Sequence, residues 1–146
     1  MPTDQELRHH VYTATVELGR PPRSGEIAAA LGIPQAEVLE GFQRLRSRRL
    51  LYLAPDTGEI VMAPPFSAAP TAFLVTTERR SYFANCVWDA YGIAAALHSD
   101  AHIQASCGCC GEPMTLAVEG NRPVAAPGVA HFAVPAANWW DDLPYT

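Results

Sequence analysis

The sequence predicts an α+β protein, with an N-terminal three-helix subdomain closed by a hairpin and packed on a small mixed α/β domain. Three observations predict it. Apolar residues recur at helical spacing through the first third of the chain, the punctuation changes at a proline-rich connector, and short alternating segments dominate the remainder. With 146 residues, 49% of them hydrophobic, the chain can bury one good core or two small ones.

The first 62 residues hold the helical patterns. In DQELRHHVYTATVELG, Leu7, Val11, Thr15 and Leu18 fall on one face, Asp4 is the expected N-cap, and Gly19 with Pro21 and Pro22 stops the helix. SGEIAAALGI is expected to start at Ser24 as cap, pack Ile27, Ala28 and Leu31, and end at Gly32. PQAEVLEGFQRLRSRRL then buries Val38, Phe42 and Leu45. LLYLAPDTGEIVMA supplies two short strands around Asp56, Thr57 and Gly58. The order resembles a winged helix-turn-helix.

Such a unit raises the question of nucleic acid, and Arg44, Arg46, Arg48 and Arg49 form a basic run. The segment nevertheless carries eight acidic residues against seven arginines, and Glu37 and Glu40 occupy the front half of the third helix. The whole chain has net charge −5 and a pI near 5.4. Affinity built on phosphate neutralisation is therefore not expected, and the unit reads as a packing module. All ten basic residues are arginine, which in an Ala- and Pro-rich chain reads as coding bias.

Residues 63–80 hold Pro64, Pro65 and Pro70 and form a linker that runs into a first strand around Ala72 to Val75. The third segment, 81–146, begins with SYFANCVWDAYG, expected as a helix with Tyr82, Cys86, Asp89, Ala90 and Ile93 near one face and Gly92 as a candidate break. AHIQASCG and PMTLAVEG alternate as two strands joined by the turn CCGE, and VAHFAV is expected as a third. No apolar run reaches the roughly 20 residues that cross a bilayer, and the first 20 residues are not signal-like, which places the expected location in the cytoplasm with no membrane partner.

Chemistry concentrates in the thiols. Of four cysteines, Cys86 stands apart, while Cys107, Cys109 and Cys110 crowd into CGCCG, a density that points to metal binding or redox chemistry before structural disulfides. Cys86 and Asp89, three apart on a helix, can meet at one atom. An Asp89 turned towards the core would have its pKa raised by desolvation, so that it carries a proton near neutrality. The bland alternative is a small buried cysteine beside a capping aspartate. The five histidines show no ligand spacing, and Trp139, Trp140, Asp141 and Asp142 read as a packed corner with a solvated edge.

PFSAAPTAFLV, YFANCVWDAYGIAAAL, IQASCGCCGEPMTLAV and FAVPAANWWDDLPYT resemble, in the same order, segments of the organomercurial (alkylmercury) lyases, and the winged-helix front end is similar to that family's N-terminal domain. The run C-x-x-D-A-x-G-I followed by C-x-x-x-G-E-P is the most specific part of the likeness. The resemblance implies protonolysis of a carbon–mercury bond with no cofactor, mercury being substrate and product ion, and with organomercurials and small thiols as partners. It makes Cys86 a mercury ligand and Asp89 the group that deprotonates thiol and delivers the proton to carbon. Soft thiolates suit that metal.

The family's second mercury-binding cysteine lies in a strand just beyond the segment matching NWWDDLPYT, and the sequence stops at Thr146. A homodimer is an expected partner arrangement, and whether another chain supplies that strand stays open. Cys107 matches a family cysteine regarded as structural, and by alternation with Ile103 and Ala105 it reads as a packed strand residue. Cys109 and Cys110 have no family equivalent. They stand as candidates for the missing thiolate, or for a separate site with Cys107 that takes copper(I), zinc or mercury. Two other classes stay open: a noncatalytic soft-metal-binding protein on this fold, and a metal-responsive DNA-binding regulator.

Overall fold

The computed structural model describes residues 1–145. The chain divides into two compact units, Met1–Ala69 and Pro70–Thr146. Together they combine helices with antiparallel sheet, an α+β architecture. Among the described residues no helix is long and apolar enough to cross a membrane.

The first unit is built from α1 (Asp4–Leu18), α2 (Ser24–Leu31), α3 (Gln35–Ser47), β1 (Tyr52–Leu53), β2 (Ile60–Ala63) and β3 (Phe66–Ser67). Thr3, not Asp4, caps α1. Its hydroxyl accepts from the Glu6 backbone N–H, and the Glu6 carboxylate accepts in return from the Thr3 N–H at 2.8 Å, a reciprocal capping box. In α2 the cap position falls on Arg23 rather than Ser24. Ser24 is buried instead, donating to the Glu59 carboxylate and accepting from Gln35 Nε2 at 2.8 Å, so it ties the start of α2 to α3 and to the residue before β2. Gly19 and Gly32 end α1 and α2 in the left-handed region that glycine adopts freely, with φ of 80° and 65°.

Leu7, Val11, Ile27, Val38, Phe42, Leu45, Leu51, Leu53 and Ile60 form one core between the helices and the hairpin. Leu18, expected on the buried face of α1, is 42% exposed because the core has ended one turn earlier at Thr15. β1 and β2 pair antiparallel, and β2 pairs with β3. The turn between β1 and β2 closes with Gly58 N–H donating to Ala54 O at 2.9 Å.

The second unit is an antiparallel sheet in the order β5–β4–β6–β7–β8, made of β4 (Phe73–Thr77), β5 (Ser81–Ala84), β6 (Ala101–Ser106), β7 (Pro113–Glu119) and β8 (Arg122–Pro123). One helix, α4 (Val87–Leu97), packs on β4, β5 and β6. Alternation decides which face it covers: in β6, Ala101, Ile103 and Ala105 are buried while His102, Gln104 and Ser106 are exposed. Val75, Tyr82, Ala84 and Val118 join them beneath Ala90, Ile93 and Ala94 of the helix. Two 3-10 turns, Ala136–Asp141 and Leu143–Tyr145, come after an irregular stretch.

Three expectations for this unit are corrected. Residues 81–84 of SYFANCVWDAYG are strand rather than helix, because aromatic Tyr82 and Phe83 pair with Val75 and Leu74 across β4, and the helix starts only at Val87. It then runs through Gly92 without a break. Residues 129–134, VAHFAV, are not a strand: Val129 is 93% exposed, and the segment carries no ladder to a neighbour. Cys107 lies past the end of β6, in the β6–β7 turn, where the alternation with Ile103 and Ala105 no longer applies.

One packing contact is tight enough to test. A Cβ at Gly41 in α3 would come within 2.3 Å of Leu7 Cδ2, whereas at Gly25 the nearest atom is 3.9 Å away. Leu7 is fully enclosed, so it has little room to yield. Gly41→Val should cost about 1–3 kcal/mol in urea unfolding through overpacking. Gly25→Ala, inside α2, should instead gain about 0.5–1 kcal/mol from the lower helix cost of alanine.

Candidate active site

Cys86 occupies the N-cap of α4, with extended backbone at φ −143° and ψ 180°, and its carbonyl accepts the first helical bond from Ala90 N–H at 3.0 Å. The switch from strand to helix is held on both sides. The Thr71 hydroxyl donates to the Ala84 carbonyl at the end of β5, and Asn85 Nδ2 donates to Leu143 O at 3.0 Å. Leu143 is itself buried, so the second 3-10 turn is anchored beside the cysteine.

Asp89 sits in the first turn of α4, and the Cys86 thiol donates to Asp89 Oδ2 at 3.5 Å. The geometry is that of a capping position and the turn above it, rather than of two residues within a helix as the spacing suggested. Both side chains are half-buried. Burial pushes the Cys86 thiol above its usual range, and the Asp89 charge adds to this against the opposing pull of the Asp89 backbone N–H. Burial also raises the Asp89 carboxyl, against the thiol hydrogen bond that lowers it. The pair thus sets a thiol against a partly desolvated carboxyl group, an arrangement suited to proton transfer.

Trp88, which lies between Cys86 and Asp89 in the sequence and is 66% exposed, lines a groove of about 460 Å³ with Phe132, Val134, Pro135 and Trp139. Phe132 and Trp139 pack at 5.3 Å between ring centroids, and Trp139 Nε1 donates to Val134 O at 2.7 Å. By sequence alone, Trp139 carried no chemistry. The signal available was a cluster of aromatics, Phe132, Trp139 and Trp140, bracketing Pro135, but nothing local linked it to Trp88.

The turn thiols lie elsewhere in the unit. Cys109 and Cys110 are exposed and Cys107 is half-buried, and all four cysteines are free. Among the described residues no three of His, Cys, Asp and Glu gather in a group fit to hold a metal ion, so neither Cys109 nor Cys110 completes a three-residue cluster with Cys86 and Asp89.

The start of α4 thus carries a half-buried thiol hydrogen-bonded to a half-buried carboxyl. The family model for MerB, alkylmercury lyase, matches residues 66–146, and the chain belongs to that family. A solved structure, the mercury-bound form of MerB2, is similar in fold, with a TM-score of 0.62 and 23% sequence identity, covering 86% of this chain and 60% of that one. The chain thus spans about 60% of the length of that relative. No curated protein matches it.

The electrostatics of the pair set two expectations. In Asp89→Asn the neighbouring charge and the carboxylate acceptor disappear while burial remains, so alkylation of Cys86, followed on its own peptide by mass spectrometry, should reach half-maximal rate at lower pH than in the parent. A midpoint that stays or rises would contradict the coupling. A raised folded-state carboxyl contributes stability that is fully present below its unfolded value and is lost as pH rises through the folded one. Asp89→Asn should therefore melt higher than the parent at neutral pH, with the gap closing in acid below the ordinary carboxylate range.

Proposed function

We propose that the chain cleaves carbon–mercury bonds by protonolysis, with Cys86 as mercury ligand and Asp89 as proton carrier. The observation that supports this reading most directly is the Cys86–Asp89 hydrogen bond between two half-buried groups in an alkylmercury lyase family member. The thiol proton passes to the Asp89 carboxylate as sulfur bonds mercury and a ligand of the incoming organomercurial leaves. The Asp89 carboxyl then gives that proton to carbon as the carbon–mercury bond breaks. A hydrocarbon departs, the carboxylate is regenerated, and mercury(II) stays on Cys86 sulfur, with Asp89 near enough to share it.

A second sulfur raises electron density on the departing carbon and helps the metal leave. Among the described residues neither Cys109 nor Cys110 gathers with Cys86 and Asp89, so that sulfur comes from an added small thiol, or from the turn once it has moved to the site, and the apolar substituent lies in the Trp88–Trp139 groove. In the same reading, residues 1–62 are a winged-helix-like subdomain, supported by three helices followed by the β1–β2 hairpin, with nucleic acid not a partner. Residues 63–80 connect it to the lyase-like segment 81–146, and the cytoplasm is the proposed location.

Phenylmercury with excess small thiol tests the mechanism, with benzene measured in the headspace. Parent protein should release benzene, Cys86→Ser should release none, and Asp89→Ala should be slower by about 100-fold or more, the ordinary contribution of a positioned proton donor. If Cys109→Ser/Cys110→Ser stops turnover while Cys86 still binds mercury, the turn supplies the second sulfur; unchanged turnover assigns that role to the small thiol. Mercury bound tightly at Cys86 with no benzene from any variant favours a noncatalytic soft-metal-binding protein. Equal turnover by parent and Asp89→Ala would remove the proposed proton carrier.

A further inference from the structure

Trp88 stands on the turn that carries the thiol and the carboxyl. It is the second residue of α4, after the Cys86 cap and directly before Asp89. The Cys86 sulfur faces the backbone N–H groups of both Asp89 and Trp88. A substituent on a metal bound to that sulfur therefore starts from the same helical turn as the Trp88 ring.

The ring is 66% exposed, yet it is not an isolated surface tryptophan. With Phe132, Val134, Pro135 and Trp139 it lines one groove of about 460 Å³. Contiguous apolar surface marks a binding face where singly scattered apolar residues do not. The volume lies within the range of small-molecule sites, about 300–1,000 Å³, and a methyl group would leave most of it empty.

The walls of the groove are flat and carry little polarity. Phe132 and Trp139 pack at 5.3 Å between ring centroids with 43° between their planes, and Trp139 Nε1 donates to Val134 O at 2.7 Å. That bond fixes the indole and occupies its one donor, so Trp139 offers a face and no free polar group. Among the described residues no charged side chain lines the groove. Offset or edge-to-face contact with a further π-system is what such walls add beyond area burial, and a saturated substituent cannot make it.

We propose that this groove selects arylmercury compounds over alkylmercury ones, with Trp88 and Trp139 as the specificity-determining residues. The assignment rests on Cys86 as the mercury ligand and is independent of whether the carbon–mercury bond is then cleaved.

The test is accordingly read on binding. The full chain carrying Asp89→Asn with Cys107→Ser, Cys109→Ser and Cys110→Ser keeps Cys86 as its single thiol and lacks the proposed proton carrier. Phenyl-, cyclohexyl- and methylmercury are each supplied as the complex of a small thiol. On transfer the mercury bond to the small thiol breaks, the bond to Cys86 forms, and the Cys86 proton goes to the released thiolate. The exchange constant, read by native mass spectrometry across a titration of small thiol, refers each compound to its own affinity for sulfur. Phenylmercury should be retained about 10-fold or more above methylmercury, and above cyclohexylmercury, which matches it in bulk but has no π-face. Adding Trp88→Ala or Trp139→Ala should each cut the phenyl preference by about 2- to 10-fold, the worth of one aromatic pair, while Trp139→Phe, which keeps a ring, should hold most of it. Trp88 is exposed, so its removal leaves no core cavity, and circular dichroism of Trp88→Ala should match the parent. Cyclohexylmercury retained as well as phenylmercury, or a phenyl preference untouched by both alanine changes, would overturn the aryl assignment while Cys86 remains the ligand. No loading of Cys86 by any of the three would overturn the ligand reading and this assignment with it. Loading with the stated preference supports the assignment even where the parent chain releases no hydrocarbon.

Discussion

Pairing of β5 with β4 stops at Ala84, and by Cys86 the backbone carbonyl already serves the helix. Only Asn85 lies between a residue bonded as strand and a residue bonded as helix cap. The site depends on that abrupt change of partner. A longer strand would turn the thiol to one face of the sheet, and an earlier helix would carry it a turn down the cylinder, away from the first-turn carboxyl. The change is enforced from outside by Thr71 on the Ala84 carbonyl and by Leu143 on the Asn85 amide, so distant stretches of the second unit fix a two-residue event.

The consequence for reactivity is a division of labour by environment. Cys86 and Asp89 are half-buried, which disfavours charge on both and raises both groups. Cys107 in the β6–β7 turn is biased in the opposite sense: half-buried, its thiol is held below the usual range by the Cys110 and Cys109 backbone N–H groups. One small sheet therefore carries two thiol environments of opposite bias, one at the start of the helix that covers its face and one at the tip of a hairpin.

Much of this was readable in the sequence because the relevant forces are local. The three helices, the β1–β2 hairpin and the β6–β7 hairpin come from periodicity and turn residues, and the pairing of Cys86 with Asp89 comes from their spacing. The features that were not readable depend on tertiary partners. Tyr82, Cys86, Ala90 and Ile93 fit a helical stripe, yet Tyr82 reaches the same core from a strand because β4 is there to pair with it. VAHFAV has the composition of a strand but no neighbour. Trp139 joins Trp88 across 51 positions of sequence, a closure that no local pattern encodes.

The sheet of the second unit finishes in a strand of two residues. Arg122 and Pro123 pair with Glu119 and Val118 through a turn in which Gly120 and Asn121 take φ of 56° and 66°. Proline has no N–H to offer a newcomer, two residues give too little length for a ladder, and arginine adds charge at the rim. At this border the backbone is chemically blunted. A cysteine-rich sheet with an open border would invite copies to stack strand upon strand and then lock through their thiols; here the border is closed to such growth, and association between copies at this end would have to proceed through side chains.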